Sequence, residues 1–467
     1  MSSRLRRRPG DIVVRRRRFR RETVRVSTPR RISITPRPWM IPAAFAVLIA
    51  AGTLVLSLPM SSESREWTSG WNSLFTSTSA VSVTGLTRFD TAEHWSGFGE
   101  AMIAVLIHVG GLGVTMYAGV LVLAIGGRFG MRGREFFGFE LMDYGERDVR
   151  RLLRRVMAFT AVVEGGTLLL LLPWHLGREA SVAAAWQATF HAISAFNNAG
   201  FDLMGGGQGF TGQLSSPYPI AVMSVAAFLG SLSFLTVFNM RRRPRFWTLD
   251  TRLVALGMFS LLLIGTALFA LGEVQSGRTL DGLGPLEVLV NSVFLSVNRT
   301  TGMATVDISQ LHNATTTVLL GMMFIGGAST STAGGIKMGA FMVSIIVVMS
   351  SLRGRHRAQA FGREIPQATV LRALSVTSLG LAALGVGTWL LALTDDLPFL
   401  PLLFEVMSAL ANVGWSQGVT SGLSTAGANV LVLLMFVGRF GSLIIALSIP
   451  DRPDERYRYV PGQVRIG

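Results

Sequence analysis

Four triplets carry the chemistry of this 467-residue sequence: Val83-Thr84-Gly85, Asn198-Ala199-Gly200, Thr300-Thr301-Gly302 and Asn412-Val413-Gly414. Each closes one copy of a repeated pattern: Phe75–Gly85, Phe190–Gly200, Ser292–Gly302 and Phe404–Gly414. A serine (Ser79, Ser194, Ser296, Ser408) stands six residues before each glycine. The side chains have little in common, so the shared chemistry is that of the backbone. Glycine permits φ values that aim carbonyls where other residues rarely can. Rings of such carbonyls replace the hydration shell of potassium in selectivity filters. Each preceding short helix also turns its partly negative C-terminal end toward the same point, which favours a cation. One glycine of this kind would be an ordinary helix C-cap. Four in matching positions with matching serines are poorly explained that way.

Apolar stretches flank each pattern, near the 20 residues that cross a bilayer core. The sequence predicts an all-α polytopic membrane protein with four pseudosymmetric helix–pore-loop–helix units around a central pore. The units run over 39–127, 151–240, 248–351 and 367–449, between a tail at 1–38 and a tail at 450–467. Eight spanning helices are expected, over 39–59, 102–125, 156–176, 220–240, 253–271, 315–349, 373–393 and 430–449. Four re-entrant pore helices of about ten residues lie between them, because that length is too short to span. Non-helical backbone at such depth is tolerated only where it is buried in protein or lines water.

Composition agrees. The chain is 49% hydrophobic and 15% charged, with mean hydropathy +0.46, against about 25% charged in soluble domains. The absence of cysteine excludes disulfides, thiolate metal sites and a thiol nucleophile. The six histidines include no H-E-x-x-H zinc pattern. The net charge of +16 is uneven: residues 1–37 hold fourteen arginines against Asp11 and Glu22. Nucleic-acid binding is one reading of such a tail. A cytoplasmic segment lying against anionic lipid is the better one, and no nucleic-acid partner is expected. The tail is no signal peptide, since no short apolar region with a cleavage site follows. The connectors 128–155, 241–245 and 353–363 are also Arg-rich, whereas 202–218 has no arginine. That asymmetry predicts a cytoplasmic between-unit face and two cytoplasmic termini.

A second feature interrupts the last span of the third unit. Residues 326–336 contain Gly326, Gly327, Ser329, Thr330, Ser331, Thr332, Gly334 and Gly335. Such sequence cannot continue a stable lipid-facing helix, so its backbone must face protein or water; a packing kink of small residues is the alternative. It is not a phosphate-binding loop, because Ile336 separates Gly335 from Lys337. Lys337 is the single lysine of the chain, and its role divides between snorkelling to the surface and gating. Arg439 lies within the last span, where charge is costly and usually functional. It is expected to place an electrostatic barrier below the filter and to pair with backbone of the glycine-rich loop. Glu164, Glu405, His108 and His191 read as hydrogen-bonded structural residues. Glu100 is either a charge at the outer mouth or an ordinary interfacial one.

The stretches TSTSAVSVTGLT (76–87), FHAISAFNNAGFD (190–202), HVGGLG (108–113), GGASTSTAGGIK (326–337), FVGRFG (436–441) and YRYVPGQVRIG (457–467) carry a family resemblance. Over about 40–467 the chain resembles the Trk/Ktr/HKT superfamily of potassium transporters, specifically its KtrB-like membrane subunits. The resemblance implies a homodimer that takes up potassium across a bacterial inner membrane. It implies that loop 326–336 is a gate below the filter, and that Arg439 lies near the permeation path. It also implies a cytoplasmic KtrA-like ring of RCK domains that binds ATP or ADP, with no nucleotide on this chain. In the family, serine at the first filter glycine is associated with sodium transport. Gly85 therefore points to potassium, with a sodium-selective or sodium-coupled transporter as the alternative. An intramembrane enzyme would need convergent acid–base or metal-binding groups, which the spans lack. A pure scaffold would not need four matched glycines. Three features depart from the family pattern: Gly230-Ser-Leu-Ser-Phe234 in the second unit, Met303 after the third glycine, and Trp415 after the fourth. Trp415 is expected to narrow the outer mouth.

Overall fold

The computed structural model describes residues 40–112, 146–206, 209–355 and 357–448. The Arg-rich tail, the second half of the predicted span 102–125, most of connector 128–155 and the C-terminal tail lie outside the described residues.

The first unit holds α1 (Met40–Ser57), α2 (Gly70–Ser82) and α3 (Gly97–Gly111). The second holds α4 (Glu146–Leu176), α5 (Ser181–Asn197), α6 (Pro217–Ser231) and α7 (Phe234–Met240). The third holds α8 (Leu249–Ser276), α9 (Pro285–Asn298), α10 (Asn313–Phe324) and α11 (Met338–Leu352). The fourth holds α12 (Gln367–Thr394), α13 (Phe399–Ala411) and α14 (Thr425–Ser448). Ordinary start signals open several of them. Ser96 accepts from the Gly99 N–H at α3 and Thr248 from the Thr251 N–H at α8, while Pro285 opens α9. A two-residue hairpin, Gln359–Ala360 with Arg363–Glu364, is the one sheet among the described residues.

The spans are less uniform than the sequence predicts. Among the described residues, three helical stretches (153–176, 249–276 and 367–394) are long and apolar enough to cross a membrane alone. The stretch predicted as one span over 220–240 is α6 and α7, bent by 99° at Ser231–Ser233. The span predicted over 315–349 is likewise two helices, separated by the glycine-rich loop. The pore helices α2, α5, α9 and α13 have 13, 17, 14 and 13 residues rather than about ten. Their first turns continue outward beyond the apolar repeat that marks them in sequence.

Large apolar side chains face outward, as lipid contact requires. Leu54, Val162, Leu263 and Trp389 are 71%, 72%, 70% and 61% exposed. The buried surfaces of the units lean on glycine. A Cβ on Gly110, Gly230 or Gly438 would overlap the carbonyl oxygen of Val81, Phe196 or Leu410 respectively. In units one, two and four, the second helix thus packs directly on the last turn of its own pore helix.

Candidate functional site

Three pore helices end the same way. Val83, Asn198 and Asn412 are left-handed, with φ of 57°, 58° and 51°. Each turn is closed by a backbone bond to the carbonyl of the matched serine: Thr84 N–H to Ser79, Ala199 N–H to Ser194, and Val413 N–H to Ser408. For β-branched Val83 this conformation costs about 1–2 kcal/mol. The Ser79 and Ser408 hydroxyls accept from the Gly85 and Gly414 N–H groups, both at 3.0 Å. The other two serines do not follow. Ser194 donates to Phe201 O at 2.6 Å, and Ser296 turns back to Leu262 O on α8. The third unit also lacks the left-handed residue: Arg299 is right-handed there, and Asn298 O accepts from both Thr301 and Gly302 N–H.

The four triplets come together in a closed ring. All four glycines have positive φ: 88° at Gly85, 78° at Gly200, 79° at Gly302 and 104° at Gly414. A Cβ on Gly85 would overlap Ala199 O, and one on Gly200 would overlap Thr301 O. On Gly302 it would overlap Val413 O, and on Gly414 it would overlap Thr84 O. Each glycine therefore lies against the carbonyl that precedes the next unit's glycine, and the fourth returns to the first. Thr84, Ala199, Thr301 and Val413 are fully buried, while the glycines open onto a cavity of about 720 Å³. Asparagine side chains tie neighbouring segments. Asn198 Oδ1 accepts from the Thr300 and Thr301 hydroxyls at 2.9 and 2.8 Å, and Asn412 Nδ2 donates to Thr84 Oγ1 at 3.0 Å.

The glycine-rich loop packs beneath this ring. Gly334 lies against Ala411 O and Asn412, so a Cβ there has no room. The loop docks on the α6–α7 bend: Ala328 N–H donates to Ser231 O and Thr332 N–H to Gly230 O, while Ser233 and Thr330 share a short hydroxyl contact. Breaking the helix at 231–233 frees these carbonyls to accept. The Gly230–Phe234 departure noted in the sequence is thus the seat of the loop. Ser331 bonds within the loop, to Ala328 O. Ser329, Gly326, Gly327 and Gly335 complete the segment, and Gly326 N–H donates to Ile336 O.

Three cations hold loop carbonyls. Arg439, 8% exposed, donates Nη1 to Thr332 O at 2.5 Å and Nη2 to Gly110 O at 2.8 Å. Lys337 Nζ donates to Ala333 O at 2.7 Å, so it is engaged with the loop rather than extended to the surface. Arg299 was not singled out from sequence, although it lies inside the third repeat. It is 3% exposed and donates Nη1 to Ile325 O at 2.6 Å, where α10 gives way to the loop. A charge within an otherwise apolar repeat was the available signal.

Asp90, Asp202 and Asp307 line the same cavity as the four triplet glycines. Desolvation, reinforced by Asp90, pushes the Asp202 carboxyl up to about 6, against the opposing pull of the Met204 N–H bond. Asp202 is therefore anionic above about pH 6 and neutral below it, and its contribution to the negative potential of the cavity is lost as the pH falls through that value. For a cation that enters by this cavity, lowering the pH on that side from 7.5 to 5.5 should raise the KM by about two- to three-fold with little change in maximal rate. Asp202→Asn should have the higher KM at both pH values. A variant that retains the full pH response would assign the effect to another group.

The other polar residues are engaged. Glu164 accepts from Asn197 Nδ2 at 2.7 Å and pairs with His108, and His191 Nε2 accepts from the Leu203 N–H. Glu405 accepts from the hydroxyls of Ser416 and Thr420 and from the Gln417 N–H, which braces the chain after the fourth triplet. Glu100 accepts from Trp186 Nε1 at 2.6 Å and is not among the residues lining the cavity. Trp415 is 1% exposed, lines the cavity and donates to Met303 O at 3.1 Å, so its ring braces segments three and four.

The family model described as "TrkH: Cation transport protein" matches residues 37–250 and 220–456. The chain belongs to the TrkH family of cation transport proteins. Among TrkH-family relatives, the potassium/sodium uptake protein NtpJ of Enterococcus hirae is 35% identical over 92% of this chain and 96% of its own. The Ktr system potassium uptake protein B of Bacillus subtilis is 31% identical over 93% of this chain and 98% of its own. These matches bear out the KtrB-like resemblance. The crystal structure of the potassium transporter TrkH from Vibrio parahaemolyticus superposes with a TM-score of 0.66 at 19% identity. It covers 90% of this chain and 86% of that one, and shows a shared fold. This TrkH-family chain is accordingly an all-α, multi-pass membrane transport protein and not an enzyme.

Proposed function

We propose that this chain takes up potassium through the ring of carbonyls at Thr84, Ala199, Thr301 and Val413, with the loop 326–336 as its gate. The closed ring of glycine–carbonyl contacts carries the reading, because it brings backbone oxygen from all four units to one place. A dehydrated potassium ion is the cargo, held by the backbone carbonyls of residues 83–85, 198–200, 300–302 and 412–414. Desolvated carbonyls suit an ion of low charge density, and the four pore-helix C-termini add negative potential. Relatives named as potassium uptake proteins support the choice of ion.

Control would come from below. The Arg-rich ends at Arg241–Arg245 and Arg353–Arg357 are solvent-exposed where described, and Arg252 stacks on Phe361 of the next connector. Two Arg-rich connectors therefore share a side, which supports a cytoplasmic face on which a KtrA-like, nucleotide-binding ring would sit. The homodimer, the bacterial inner membrane and two cytoplasmic termini follow from the family resemblance and the arginine asymmetry. A sodium-coupled pathway is the second reading, favoured by the name of the E. hirae relative.

The test is growth on limiting potassium of cells without their own uptake systems. This chain should restore growth, with a further gain on co-expression of a KtrA-like subunit. Membrane-inserted protein that fails to rescue with or without that subunit would overturn the reading.

A further inference from the structure

Thr332 belongs to the loop, yet its hydroxyl reaches the filter. Asn198 Nδ2 donates to Thr332 Oγ1 at 2.8 Å, and that hydroxyl passes its own proton to Gly230 O at 2.9 Å. The other end of the Asn198 amide accepts from Thr300 and Thr301. Phe196 O and Ala227 O lie 3.3 Å from Nδ2. Reversing the amide would set its oxygen against two carbonyls, so the direction of the chain of bonds is fixed. Asn198 and Thr301 are fully buried, Thr300 is 2% exposed and Thr332 9%. No solvent stands ready to replace a lost bond, and unmade bonds in such surroundings are costly.

The third segment has particular need of this support. Its serine, Ser296, is turned away to α8, and it has no left-handed residue to fix the turn. Its two threonine hydroxyls lean instead on Asn198. The Thr301 carbonyl is the one that lies against Gly200 in the ring. In the opposite half, Asn412 donates to Thr84 Oγ1 and Met435 O, and the loop touches it only through packing of Gly334. A hydrogen-bonded link from loop to filter therefore exists at units two and three.

We propose that Thr332 is a specificity-determining positioning residue: through Asn198 it holds the Thr300–Gly302 segment, so that displacement of the loop lowers the preference for potassium. The proposal rests on reading the triplets as a filter and the loop as a gate. Flux and selectivity are then coupled, and a conformation with the loop withdrawn discriminates less well than the closed one.

The experiment compares rubidium and sodium uptake into proteoliposomes containing the full chain. Thr332→Val keeps the shape and removes the hydroxyl. The rubidium-to-sodium ratio should fall about five-fold, the scale of one net hydrogen bond, and Thr332→Ser should restore it. Thr388→Val, which removes a hydroxyl bonded to Leu384 O on α12, away from loop and filter, should leave the ratio unchanged. If Thr332→Val does not insert, Thr332→Ala is read the same way without added apolar bulk. Gly85→Ser, measured alongside, separates the two levels. If Gly85→Ser changes the ratio and neither Thr332 variant does, the coupling is wrong and the filter stands. If the wild type does not discriminate, or Gly85→Ser leaves the ratio untouched, the filter reading falls and the coupling with it.

Discussion

Gly85→Ser should abolish most of the discrimination between potassium and sodium while the protein still inserts in the membrane. Gly85 has φ of 88°, which an L-residue adopts only at a cost of about 1–2 kcal/mol. The larger effect is steric. A Cβ there would overlap Ala199 O, itself part of the ring, and would stand close to the Gly200 Cα, 3.0 Å away. Neither neighbour is the movable end of a side chain, so the carbonyl itself must turn. A ring opened at one contact loses its close fit to a dehydrated ion. The rubidium-to-sodium uptake ratio should fall by roughly ten-fold or more, since 1.4 kcal/mol is already a factor of ten. Gly282→Ser separates the two causes, because Gly282 has φ of 73° but open space around it. That variant should lose some thermal stability and keep the wild-type ratio. Equal ratios for wild type and Gly85→Ser would show that this carbonyl does not face the ion.

Arg439→Ala should produce a leak. The guanidinium joins Thr332 O in the loop to Gly110 O at the end of α3. Hydrogen bonds from a charged donor contribute about 1.5–3 kcal/mol each, so the loop loses a substantial share of its restraint. On the proposed reading, a positive charge below the filter goes with it, which removes a barrier to cations. Rubidium efflux from proteoliposomes without any regulatory subunit should rise about ten-fold. Arg439→Lys, which supplies a single compact donor group instead of a fork, should fall between. An unchanged efflux rate in Arg439→Ala would mean that Arg439 restrains neither loop nor ion. A fall in melting temperature is expected as well, since two buried carbonyls lose their donor.

Much of this architecture was legible because backbone chemistry leaves a mark at fixed spacing. The four glycines could be read off as a repeat, and the ring joins those same four residues. The loop was visible as glycine and hydroxyl residues where a span should continue, and Arg439 as a charge with no reason to be in lipid. What escaped was whatever depends on which partner lies nearest in space. Four serines at equal spacing suggested one role, yet Ser79 and Ser408 cap glycine N–H groups while Ser194 and Ser296 find other carbonyls. Gly230-Ser-Leu-Ser-Phe234 resembles a minor packing change until the α6–α7 bend exposes its carbonyls to the loop. Arg299 was hidden by the repeat around it, since its partner Ile325 lies just past the end of another helix, α10. The bond from Trp415 to Met303 O joins residues 112 positions apart, which adjacency to the glycine could not reveal.

In the closed ring the oxygens come from Thr84, Ala199, Thr301 and Val413, and only segments one and four carry a serine-capped glycine. A pore assembled from four identical subunits receives every substitution four times over, so its tolerance for change is narrow. Here one codon alters one quadrant. On the proposed reading, the affinity of such a ring can be adjusted in small steps, each perturbing about a quarter of the coordination, and a quadrant such as the third can take on a second duty while the other three hold the ion. One-chain construction thus turns symmetry from a constraint into a starting point.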